Sequence, residues 1–254
     1  MAKRKQASQN SPPASEVLAP REPETEKGQL AREQYFAFAK AALRENLGDY
    51  LALFEKYAND QPETQQAAQG LDQTVAKIAL QSGHSPRQVI QFIAQGPFAQ
   101  YETRALSVEE KKAALPKLLH YAKTTVEDAQ KKRYTEYANV VTGKIQSYAD
   151  LYREHISSEL MAIQLDQKVV AAAVRSGESA EGVVHLLHQG PYAQFQQGVK
   201  QVSAVTIDQY AKGTVAQVQS IQALQVSEGK VRADRSVLTR ADRSVLTQTQ
   251  NLET

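Results

Sequence analysis

A stretch of 32 residues occurs twice in this chain. Residues 71–102, LDQTVAKIALQSGHSPRQVIQFIAQGPFAQYE, align without a gap to residues 165–196, LDQKVVAAAVRSGESAEGVVHLLHQGPYAQFQ, at an offset of 94, with 14 positions identical. Chance would give about two. The likeness extends outward with small insertions: GDYLALFEK from Gly48 answers QSYADLYRE from Gln146, and YAKTTV from Tyr121 answers YAKGTV from Tyr210. The chain therefore reads as two tandem copies of one unit of roughly 95 residues.

Composition says what each copy is made of. Of 254 residues 36 are Ala and 30 Gln, with 12 Gly, 9 Pro and no Trp. Helix formers outnumber the β-branched and aromatic residues that strands need, so an all-α fold is expected. The absence of Cys removes disulfides, thiolate zinc sites and a Cys nucleophile. No apolar run reaches the length of about 18 residues that spans a bilayer, and no secretory leader is visible, so a cytoplasmic protein with no membrane contact is expected. A net charge of +2 argues against a coat that binds nucleic acid by charge alone.

Both ends lose the periodic pattern. Residues 1–24 carry Pro12, Pro13, Pro20 and Pro23 and read as a disordered arm with a Lys3-Arg4-Lys5 cluster. Residues 227–254 read as a disordered tail in which RADRSVLT, residues 232–239, recurs unchanged at 240–247. Between them, repeat 1 is assigned to 25–130 and repeat 2 to 131–226. Within repeat 1 a long first helix is expected through Tyr35, Phe38, Ala42, Tyr50, Phe54 and Tyr57, which fall near one stripe. A second helix is expected over 63–82 and ends at Gly83. Ser85-Pro86 then opens a third over 86–95, which ends at Gly96-Pro97. These glycines, with Gly177, Gly190 and Pro191 in repeat 2, are read as structural turns, with Gly96 and Gly190 supplying left-handed helix ends. A short turn carrying Phe98 and Tyr101 follows. A capping box, Ser107 with Glu110, opens a fourth helix. Its apolar residues recur from Leu118 through Tyr152, so one long helix, kinked near Pro116, is expected to join the copies.

Catalytic patterns are missing. There is no GxSxG elbow, SxxK, HExxH or Gly-rich phosphate loop. His185 and His188 share a helix face, but a metal needs three or four ligands and none stands beside them in sequence. His84 reads as a solvated turn residue, His120 and His155 as single helix residues, and the 11 tyrosines as core with wet tips. No enzyme, cofactor, metal or small-molecule substrate is expected.

One constellation points to a partner. Ala79, Gly83, Val89 and Phe92 have the spacing of a helix-turn-helix, matched by Ala173, Gly177, Val183 and Leu186. In repeat 1 the third helix offers Arg87, Gln88 and Gln91, types that bond to base edges or phosphates, with Lys77 on the helix before it. Repeat 2 offers Glu178, Glu181 and Gly182 there, and its carboxylates would repel phosphate. DNA contact through repeat 1 is therefore expected. The competing expectation is a protein-only adaptor, and clustering of Lys77, Arg87, Lys111, Lys112 and Lys117 on one face would favour nucleic acid.

From Asp72 to Gln130 the chain carries Asp72, Val75, Ala76, Gly83, His84, Ser85, Pro86, Val89, Tyr121, Ala122 and Val126 in that order. This string resembles a helical accessory segment of plasmid mobilisation relaxases and plasmid primase-like proteins of cyanobacterial type. Repeat 2 matches less well, having Glu178 and Ala180 in place of the His and first Pro. The resemblance covers none of the catalytic parts of those proteins. It implies a non-catalytic accessory role beside plasmid DNA mobilisation or replication, with DNA or a DNA-processing protein as partner.

Overall fold

The computed structural model describes Pro23 and residues 25–104 and 106–224. The arm up to residue 22 and the tail with its duplicated octapeptide lie outside the described residues. Within them the chain is all-helical, with no strand. The order is α1 (Glu26–Leu43), α2 (Tyr50–Tyr57), α3 (Pro62–Gln81), α4 (Pro86–Ile93), α5 (Pro97–Thr103), α6 (Val108–Thr142), α7 (Tyr148–His155), α8 (Glu159–Arg175), α9 (Ala180–Leu187) and α10 (Pro191–Gly198). A further helix, α11, covers residues 204–224.

Local chemistry sets most boundaries. Thr25, Asp49, Ser85, Ser107, Ser147, Ser158 and Ser179 each accept a backbone N–H in the first turn of α1, α2, α4, α6, α7, α8 and α9. Ser85 with Gln88 and Ser107 with Glu110 close full capping boxes. Gly83 at φ +93° and Gly177 at φ +84° make the left-handed turns that end α3 and α8.

Several boundaries differ from the sequence reading. The expected long first helix is two helices: Arg44 turns left-handed at φ 54° and Asp49 caps a fresh start, so Tyr35 and Tyr50 lie on separate elements. The turn after Gly96 is the seven-residue helix α5, with Pro97 at its first position, where a missing N–H costs nothing. Helix α6 runs 35 residues through Pro116, about 52 Å at 1.5 Å per residue. It stops at Gly143, left-handed at φ 67°, short of the expected Tyr152. Gly96 and Gly190 have φ of −66° and −61°, so neither is a left-handed end. A Cβ on Gly96 would collide with the Asp72 carboxylate, and one on Gly190 with that of Asp166. Close approach, not backbone angle, demands glycine there.

Two large apolar clusters, with a small third of Phe54, Ala58 and Tyr101, form the core of the described residues. One joins Tyr35 and Ala39 of α1, Leu53 of α2, Val75, Ala79 and Leu80 of α3, Val89 and Ile93 of α4, and Ala122, Val126 and Ala129 of α6. The other joins Tyr134 and Ala138 of α6, Leu151 of α7, Val169 and Ala173 of α8, Val183, Leu186 and Leu187 of α9, and Ala211 and Val215 of α11. Helix α6 thus supplies its middle turns to the first lobe and its last turns to the second. No described helix is long and apolar enough to cross a membrane.

Candidate interface

Each lobe is fastened at its centre by a buried carboxylate. Asp72, on α3, takes a hydrogen bond on each oxygen: Tyr35 donates to Oδ1 at 2.6 Å from α1, and Tyr121 to Oδ2 at 2.7 Å from α6. In the second lobe Asp166 accepts from Tyr134 at 2.5 Å and from Tyr210 at 2.8 Å. Both carboxyls are fully buried, and burial pushes each up to about 7 against the pull of the two phenol donors. Burial and the facing carboxylate also raise all four tyrosines. Around each clasp, Tyr50 donates to the carbonyl of Gln95, and Tyr148 to that of Gln189 at 2.6 Å. Phe98 folds back to place its ring 4.6 Å from that of Tyr121, and Tyr192 lies 4.4 Å from Tyr210. The tyrosine tips at Tyr35 and Tyr134 are dry and bonded, not wet. No charge is presented to a reactant here; the clasp ties three helices together.

A second polar cluster lies within the second lobe, next to the seam with the first. Arg133 of α6 is completely buried and places Nη2 2.5 Å from Glu178 Oε2 and 3.4 Å from the carbonyl of Gly182. Tyr137 donates to Glu178 Oε1 at 2.9 Å. Glu178 is therefore a neutralised interior partner, not the phosphate-repelling surface charge read from its position. Beside it the first turn of α9 rests on the last turn of α3. Ser179 donates to the Gln81 carbonyl from its backbone N–H at 3.4 Å and from Oγ at 3.2 Å. Gly182 approaches so closely that a Cβ would lie 2.8 Å from the Leu80 carbonyl and 2.9 Å from that of Gln81.

Of the residues expected to read DNA, three share α4 and Lys77 lies on α3. Arg87, Gln88 and Gln91 are exposed on α4, and Gln88 and Gln91 share a shallow cavity with Lys27 and Gln34 of α1. The Gln88 amide is engaged, its Oε1 accepting from both the N–H and Oγ of Ser85 at 2.9 Å. Lys77 pairs with Glu136 at 2.5 Å, across the groove between α3 and α6. Glu136 is 25 residues along α6 from Lys111, roughly 38 Å at helical rise. Lys77 and Lys111 therefore do not share one basic patch. His84 is not a solvated turn residue: its ring packs edge-on against Phe38 and Phe92, both at 5.3 Å between centroids. His185 and His188 stand 6.0 Å apart, with His188 Nε2 3.7 Å from Asp208 Oδ1, and burial lowers both imidazoles. Among the described residues no group of three or more His, Asp or Glu side chains could hold a metal ion.

What sequence reasoning missed is an apolar extension of α6. Leu115, Leu118 and Leu119 precede the buried Ala122, Val126 and Ala129 at spacings of three and four, so they share their face. Beyond the edge of the first core no described residue covers that face: Leu115 is 53% exposed and Leu119 45%. The three leucines line one side of a groove of about 340 Å³ whose other walls include Ala94 and Ala99, with Lys111 at its edge. The i, i+3, i+4 spacing was readable, but where the lobe stops was not. Comparison with family models, curated proteins and solved structures returns no match.

Proposed function

We propose that the chain is a non-catalytic helical scaffold, two copies of one unit joined through a shared helix, and that it binds a protein partner along the first turns of α6. The observation that carries this reading is the Leu115–Leu118–Leu119 stripe, which continues a core face beyond the cover of any described residue. An amphipathic partner helix can extend the core over it, with an acidic flank toward Lys111. The resemblance to accessory segments of plasmid mobilisation and primase-like proteins supports a setting beside plasmid DNA processing. A nuclease-treated affinity capture compares wild type with a Leu115→Asp/Leu119→Asp variant. The reading requires a partner that survives nuclease and is lost by the variant. Capture that vanishes on nuclease treatment alone sinks it.

A second reading, direct DNA contact by α4, is favoured by one feature. Arg87 and Gln91 stand exposed on this helix, Gln91 with Lys27 nearby. Neutralising phosphates releases counterions, so such binding must weaken with salt and fail on Arg87→Glu. Duplex titration at two salt concentrations decides it.

A further inference from the structure

The seam between the lobes is made of two unlike surfaces, the last turn of α3 and the first turn of α9. An interface of that kind can continue from unit to unit, because each unit carries both surfaces. At the offset of 94, the α8 end, with Val174, Arg175 and Gly177, stands where the α3 end has Leu80, Gln81 and Gly83. Among the described residues it is unpacked: Arg175 is exposed, nothing lies within 4 Å of a Cβ placed on Gly177, and Ser176 and Gly177 line a hollow shared with Gln81 and Ser82. On Gly83 the same construction meets Ser179 Oγ at 2.7 Å. The α8 end of one chain thus offers a second chain the surface that α9 already uses. What that second chain would have to supply is the first turn of α4.

That turn differs at one residue in a telling way. Gln88 takes the place of Gly182, where the seam has room for no Cβ. Its side-chain Oε1 also accepts from the Ser85 N–H and Oγ. Those are the two donors that Ser179, the counterpart of Ser85, gives to the Gln81 carbonyl across the seam. Gln88 therefore blocks the approach and satisfies in advance the groups that would hold an incoming helix end. His84 and Gln34 complete the difference, standing where the second half has Glu178 and, before its clasp tyrosine, Arg133. We infer that Gln88 is a terminator, closing the first lobe against the α8 end of a second copy of this chain and ending the array at two units.

The inference rests on reading the halves as copies, and two arms of one experiment keep the two apart. Sedimentation of the full chain over a wide concentration range should give a constant mass for wild type. Gln88→Gly, and a Gln34→Arg/His84→Glu/Gln88→Gly variant that rebuilds the second-lobe surface, should gain mass with concentration. Gln88→Ala should not: it loses the same hydrogen bonds but keeps the Cβ. The second arm is Gly182→Gln, a residue that this position of the unit accommodates in the first lobe. It should part the seam and raise the radius of gyration by X-ray scattering. The terminator is overturned if wild type assembles, if Gln88→Ala assembles as Gln88→Gly does, or if the folded rebuilt variant keeps a constant mass. An unchanged radius in Gly182→Gln overturns the steric account of the seam, without reference to whether the halves are copies.

Discussion

Raising the pH from about 4 to 7 should loosen this protein, after its exposed carboxyls have already ionised. Two opposing effects act on Asp72 and Asp166. A phenol donor on each oxygen favours the carboxylate, whereas complete burial without a cation favours the acid, and burial is the larger. Each folded carboxyl is thus held up to about 7, against 3.8 for the ordinary group. In the unfolded chain both lose their protons near pH 4; in the fold both keep them until near 7. Stability from these groups is complete below about pH 4 and is lost as pH rises to 7. The slope is about 1.4 kcal/mol per pH unit for each aspartate, on the order of 4 kcal/mol apiece over the whole passage. Domains are stable by about 5–15 kcal/mol, so the effect is large. Urea unfolding of wild type, Asp72→Asn and Asp72→Asn/Asp166→Asn from pH 4 to 8 measures it. Asn cannot ionise, so wild type should lose stability relative to the double variant by several kcal/mol across this range, and relative to the single variant by about half as much. Surface carboxyls held low by their partners, such as Glu154 beside Lys144, pull the other way but cancel in the difference. Parallel pH profiles for all three proteins would show that the tyrosines keep the carboxylates charged in the fold, and the reasoning would fail.

Gly96→Ala should cost about 1–3 kcal/mol by crowding Asp72 and the Tyr35 ring, whereas Gly143→Ala, with open space but φ 67°, should cost only about 1–2 kcal/mol from the backbone; thermal unfolding ranks them. Glu178→Gln leaves Arg133 charged and buried, so a loss of about 3–5 kcal/mol is expected, and an Arg133→Met/Glu178→Gln pair should recover part of it in the same urea assay. Phe98→Ala removes a half-buried ring stacked on Tyr121 and should cost less than the roughly 3–5 kcal/mol of a fully buried Phe.

The sequence made the helical class legible because Ala, Gln and three-to-four spacing act locally, and the capping boxes at Ser85 and Ser107 appear where local rules put them. The first-helix break escaped because Tyr35, Ala42 and Tyr50 keep a common stripe across it, while the left-handed turn at Arg44 needs no glycine. Gly96 and Gly190 were read as turn residues when their reason is long-range: each faces an aspartate 24 residues earlier, which only the folded lobe brings near. The clasps share that logic. Asp72 and Asp166 fall inside the aligned stretch, so their recurrence was visible, and a carboxylate kept between apolar Leu71 and Val75 on a buried helix face was the available signal for a buried role. Its tyrosines sit 37 residues before and 49 after in the first lobe, 32 before and 44 after in the second, so no fixed spacing marks them. The second-lobe departures, Glu178 for His84 and Gly182 for Gln88, read only as a loss of phosphate contact because a sequence shows which residues differ but not which surface each lobe covers. Once α3 is known to rest on α9, Gly182 becomes a close-approach residue and Glu178 the partner of Arg133. Where the two aligned stretches disagree, the difference marks where their neighbours differ.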